Sequence, residues 1–142
     1  MKTKGFTLIE ILIVIAVISI LIGIALPRFK GMQQEGNIAK AKGELRTLQT
    51  AVESFYVHNT NTYPVNLADI TNQTPQIVNA VGKDPFNTST DYAYLRNGGY
   101  YAIWSVGPKE NGSVSVVTNT GVTEENGESC IYASNAGQDK QP

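Results

Sequence analysis

The sequence predicts an α+β chain: one long, kinked N-terminal helix, half transmembrane and half amphipathic, packed on a small antiparallel sheet of about three strands. Three observations carry this. An uninterrupted apolar run extends from Phe6 to Leu26. Apolar residues at helical spacing follow it as far as His58. Beyond Ala93, short β-rich runs alternate with Asn-Gly and Gly-Pro turns. We divide the chain into a leader (1–5), a membrane-spanning segment (6–27), an amphipathic helix segment (28–58) and a head (59–142).

Length and charge bound the function. A chain of 142 residues holds one domain with a modest core. Eleven basic and twelve acidic side chains leave a net charge of −1, which offers no case for nucleic-acid binding by bulk charge. Cys130 is the single cysteine, so no intrachain disulfide can form. We read it as a half-buried small hydrophobe, although a lone thiol in an exported protein could also cross-link chains.

The segment FTLIEILIVIAVISILIGIAL, Phe6 to Leu26, matches the ~20 residues with which a helix crosses a bilayer. A secretory signal would be shorter and would end in a small-residue cleavage site, which is missing here. A plain anchor fits the length, and Lys2 and Lys4 favour a cytoplasmic N-terminus. Arg28 and Lys30 on the far side weaken that charge signal without reversing it. Neither reading accounts for Glu10. A carboxylate inside such a span costs roughly 2.5–3.5 kcal/mol at a helix centre, and less near the interface. No basic side chain of the span can reach it, so its partner must be another molecule or a charge created by processing.

Lys4-Gly5-Phe6-Thr7-Leu8-Ile9-Glu10 resembles the class III signal of type IV prepilins and pseudopilins. The resemblance implies cleavage between Gly5 and Phe6 by a prepilin peptidase, loss of the leader 1–5 and N-methylation of Phe6. It also implies that Glu10 pairs with the Phe6 amine of a neighbouring subunit. A buried pair satisfied only in the right register sets assembly geometry whatever its net stability. Gly23 and Pro27 weaken the helix, through backbone freedom and a missing amide donor, so a kink or local unwinding is expected there. In the family this stretch bends and can melt in filaments.

From Arg28 to His58, Ile38, Ala41, Leu45, Leu48, Val52 and Phe55 form one apolar stripe for a sheet to lie on. Joined to the first segment, this makes a helix of roughly 50 residues, near ~75 Å long, much of it projecting from the head. Asn59 to Pro64 ends it. The span from Val65 to Thr90 reads as a loop with short helices near Leu67 to Thr71 and Gln76 to Val81. Ala93 to Arg96 and Tyr100 to Val106 read as a hairpin about Asn97-Gly98-Gly99, and Ser113 to Thr118 as a third strand. The acidic tail from Asn119, with Glu124, Glu125, Glu128 and Asp139 against Lys140, reads as irregular and solvated, with Cys130 to Tyr132 as a short anchoring strand.

Tyr63-Pro64, Asp84-Pro85-Phe86, Tyr92-Ala93-Tyr94 and Tyr101 to Gly107 occur in an order similar to that of the major G-type pseudopilin of type II secretion. That resemblance implies a pseudopilus subunit supporting protein export. The alternative is a major or minor type IV pilin for adhesion, twitching motility or DNA uptake. Either way the implied partners are further copies in a helical filament, the prepilin peptidase, an inner-membrane assembly platform with its ATPase, and minor subunits. The implied location is the cytoplasmic membrane, single-pass with the head outside, and then a periplasmic or surface filament.

G-type subunits usually carry an Asp-rich calcium loop after the Ser-hydrophobic-Gly element. Here that place reads Pro108 to Ser113, where Glu110 and Asn111 are a thin donor set for a cation that takes six to eight oxygens, and Lys109 opposes its charge. We therefore expect no cofactor, with calcium as the alternative, and read Asp84 and Asp91 as loop and turn residues. No catalytic constellation is visible either. His58 is the sole histidine, with no nucleophile arrangement near it, and no phosphate loop, HExxH or CxxC occurs. Lys83, Arg96 and Lys109 are too scattered for a DNA-binding patch, and an 8% aromatic share supports no conduction path.

Overall fold

The structure is a computed structural model that describes residues 5–126 and 130–137. Met1 to Lys4 of the leader, and Glu128, Asp139 and Lys140 of the acidic tail, lie outside the described residues. The chain divides into two compact units, Met1–Glu35 and Gly36–Pro142. The helix α1 (Leu8–His58) contributes to both.

In the first unit the apolar side chains are left uncovered. Ile11, Leu12, Ile13, Val14, Ile15, Val17 and Ile18 are all exposed, around the whole circumference of the helix. Among the described residues this is the one helix long and apolar enough to cross a membrane. It runs through Gly23 and Pro27 without a break, so the expected unwinding is absent here. The weakness is chemical instead: Pro27 has no N–H to give to the carbonyl of Gly23, one turn back.

The second unit has three layers. The C-terminal part of α1 buries Ala41, Leu45, Leu48, Ala51 and Val52 at three- and four-residue spacings. Against it lies an antiparallel sheet of β1 (Ala93–Asn97), β2 (Tyr100–Ser105) and β5 (Ile131–Ser134), in the order β1-β2-β5. A separate ribbon of β3 (Ser113–Thr118) and β4 (Gly121–Glu125) covers the other face. Alternation along β2 builds both interfaces. Tyr101 and Ile103 join the core on α1, with Ile131 and Ala133 of β5. Tyr100, Ala102 and Trp104 face the ribbon's Val114 and Val117, with Tyr132 of β5. The turn between β1 and β2 places Gly98 at φ 59°, which glycine adopts freely.

Three expectations about the head change. Ser113–Thr118 is a strand, but it does not join the first sheet; the third strand there is β5. The tail read as irregular supplies β4, while the short strand expected at Cys130 to Tyr132 forms as β5. The physical reason is that β2 is apolar on both faces, so its sheet needs cover on both. One short helix forms as a 3-10 turn, Leu67–Thr71, closed by a capping box in which Asn66 Oδ1 accepts from the Asp69 amide and Asp69 Oδ2 accepts from the Asn66 amide. The helix expected near Gln76 to Val81 does not form.

Polar bonds tie the sheet to the helix. Tyr92 donates to Glu44 at 2.6 Å, and Tyr101 and Tyr63 both donate to Glu53, at 2.7 and 3.2 Å. The Tyr63 ring stacks on Tyr56 and leans on Tyr101, with centroids 4.4 and 4.8 Å apart. Burial, followed by the Glu53 charge, pushes the Tyr63 hydroxyl up to about 12. Burial also raises Tyr92, Tyr94 and Tyr101.

Leu45→Ala opens a cavity between helix and sheet and should lower stability by about 2–5 kcal/mol, read from the denaturant midpoint. The raised phenols set the alkaline limit. Their contribution is complete below the unfolded tyrosine value of about 10. It is lost as pH rises through the folded value, about 12 for Tyr63. Thermal melts should therefore fall steeply above pH ~10, and Tyr63→Phe should flatten that fall.

Candidate functional site: the capped start of the apolar helix

Gly5 and Phe6 are exposed and precede the first helical residue. Thr7 and Glu10 close the helix end between them. Glu10 Oε2 accepts from the Thr7 amide and the Thr7 hydroxyl, both at 2.8 Å, while the Glu10 amide donates to Thr7 Oγ1 at 3.3 Å. The first α-helical bond runs from the Ile11 amide to the Thr7 carbonyl, at 3.3 Å. Thr7 is thus the N-cap and Glu10 the third helical residue of a reciprocal capping box. The carboxylate also lies at the positive end of the helix dipole. Its charge is held by hydrogen bonds within its own turn, and among the described residues no cation bridges to it.

Thr7 is the functional residue that the sequence reading missed. Its signal was available: Thr-x-x-Glu opening an apolar run is the capping-box pattern. Gly23 and Pro27 lie about four turns further along the same helix and take no part in the cap.

The remaining candidate residues lie in the head and form no catalytic group. His58 is exposed in the last turn of α1, with Nδ1 2.8 Å from the Ser54 carbonyl. Lys83 bridges to Asp91 at 2.8 Å, and Arg96 donates to the Tyr63 carbonyl at 2.7 Å. Cys130 is buried and its thiol is pushed up to about 12, chiefly by burial and then by Glu124. It is a packed, unreactive thiol.

Residues 1–26 match the family model of the prokaryotic N-terminal methylation motif. The chain is 49% identical over 57 residues to the fimbrial protein EcpB of Eikenella corrodens, covering 40% of this chain and 36% of that protein. It is 46% identical over 55 residues to the type IV major pilin protein PilA of Myxococcus xanthus, covering 39% and 25%. The chain thus spans about a third and a quarter of the length of these two relatives. Similarity to the type II secretion system core protein G of Escherichia coli is lower, 27% over 140 residues, but covers 87% of this chain and 95% of that protein. Its homologues are type IV pilins and core proteins G. No solved structure matches. In this pilin-like chain the capping box therefore falls inside the matched methylation motif, one residue after the expected new N-terminus.

Thr7→Ala removes the cap and should cost the first turn about 0.5–2 kcal/mol. Faster amide exchange confined to the residues from Leu8 to Ile11, measured by NMR in detergent micelles, is the expected outcome.

Proposed function

We propose that this chain is the structural subunit of an extracytoplasmic pilus-like filament, and specifically the major subunit of a pseudopilus that supports protein export. The observation that carries the proposal is a methylation motif, with its carboxylate, at the head of an uncovered apolar helix. Similarity to core protein G over nearly the whole length favours the export role. The higher local identity to fimbrial proteins favours a second reading, a type IV pilin for adhesion, twitching motility or DNA uptake. The chain is not an enzyme in either case.

The work of such a subunit is polymerisation. It inserts through its apolar helix with the head outside, and a prepilin peptidase cuts after Gly5. The new Phe6 amine is methylated. Removing the leader leaves a cation next to Thr7, and Glu10 leaves its cap to pair with the amine of a neighbouring copy. An inner-membrane platform and its ATPase extract the subunit, and minor subunits complete the filament. Packing among apolar helices replaces lipid contacts, and the donor missing at Pro27 makes the Gly23 to Pro27 turn the place where the helix melts or bends.

Glu10→Ala should insert and be processed normally, yet reduce sheared filament yield by about tenfold or more. The measurement is mass spectrometry and imaging of sheared filaments. Filaments built mostly of chains beginning at methylated Phe6 are expected. Normal filament yield from Glu10→Ala would refute the pairing, and chains still starting at Met1 would refute the processing.

A further inference from the structure

The resemblance to G-type subunits implies a calcium ion in the loop between β2 and β3, and the donor set can be tested against that ion. Asp84 is 1% exposed, and Ser105 beside it is fully buried. Asp84 Oδ1 accepts from the Phe86 amide at 2.9 Å and from the Ser105 hydroxyl at 2.8 Å. Oδ2 accepts from the Val106 amide at 2.8 Å. Three of its roughly four acceptor directions are therefore filled by hydrogens, which would face any cation placed there. The Gly107 amide in turn donates to Ser105 Oγ at 3.2 Å, so the chain is gripped just where the loop begins.

Three of the loop's carbonyl oxygens are also engaged. Gly107 O accepts from the Glu110 amide at 2.9 Å, and Val106 O from the Gly112 amide at 3.0 Å. Asn111 O accepts from Asn126 Nδ2 at 3.4 Å. Glu110, the loop's single carboxylate, is exposed next to Lys109. On its inner side the loop meets the C-terminal segment directly. A methyl group on Gly112 would lie 2.7 Å from both the backbone nitrogen and Cβ of Cys130, so no gap for an ion separates them. Among the described residues no group of three or more His, Cys, Asp or Glu side chains could hold a metal. A calcium ion asks for six to eight oxygens. The described residues do not fit it.

We infer that this loop closes without a divalent cation, its start held by the Asp84 carboxylate, so that the head folds and stays folded without calcium. Charge-assisted bonds from the Ser105 hydroxyl and the Val106 amide tie the start of the loop to the Asp84 turn. The inference concerns the monomer and does not depend on the filament role.

The test is thermal unfolding of the full chain in detergent micelles, followed by near-UV circular dichroism in millimolar calcium and in EGTA. The two midpoints should agree within about 2 °C, whereas a specific ion bound well above its dissociation constant would raise the midpoint by more than that and overturn the inference. Asp84→Asn places an amide group against the Val106 N–H, and should lower the midpoint by several degrees equally in both solutions. Should that variant not fold, Ser105→Ala removes one bond of the clamp and should show a smaller, equally calcium-independent fall. Substitutions that leave the EGTA midpoint unchanged, or that act only by abolishing a calcium-dependent rise, would refute the clamp.

Discussion

Between Phe6 and Met32 the chain carries a cylinder of apolar side chains that its own residues leave uncovered. Everything else follows from that constraint. Water cannot be the neighbour of such a surface, because each exposed Ile or Leu forfeits about 1.5–3 kcal/mol relative to burial. Lipid and like helices both satisfy it, and under the proposed function a subunit passing from one to the other would exchange equals. Apolar contact therefore gives little direction to the transfer, and the polar groups at the helix start have to supply it. Only Thr7 and Glu10 there carry polar side chains.

The head solves a different problem. A single helix covers one face of a three-stranded sheet, and β2 is apolar on both. The ribbon β3-β4 covers the second face with Val114 and Val117, leaving Glu125 exposed. On the helix side, Glu44 and Glu53 are turned to account: each accepts tyrosine hydroxyls that would otherwise be buried without partners. Helix and sheet are thereby fixed in register by directional bonds as well as by packing.

Much of this was legible from local pattern. The apolar run, the stripe from Ala41 to Val52 and the bounds of β3 follow from periodicity, and the hairpin of β1 and β2 from its Asn-Gly-Gly turn. What escaped was non-local. Glu124 and Glu125 made β4 look like solvated tail, yet they point to opposite faces and Glu124 lies on the inner one, against Cys130. The near-continuous apolar run from Tyr100 to Trp104 did signal a strand covered on both sides, but not by what. At the functional site Gly5, Phe6 and Glu10 stood out as a motif, whereas the role of Thr7 needed the capping geometry. Asp84 and Ser105 lie 21 residues apart and nothing in their spacing joins them.

The contact of Gly112 on Cys130 has one more consequence. The sole thiol of the chain is sealed beneath the loop, with an acidity too low for rapid reaction. A thiol reagent can reach it only while the packing around it opens, so the labelling rate reports how often the open state is populated. The protein thereby carries its own gauge of local opening, placed by nature at the seam between the β2–β3 loop and the last strand.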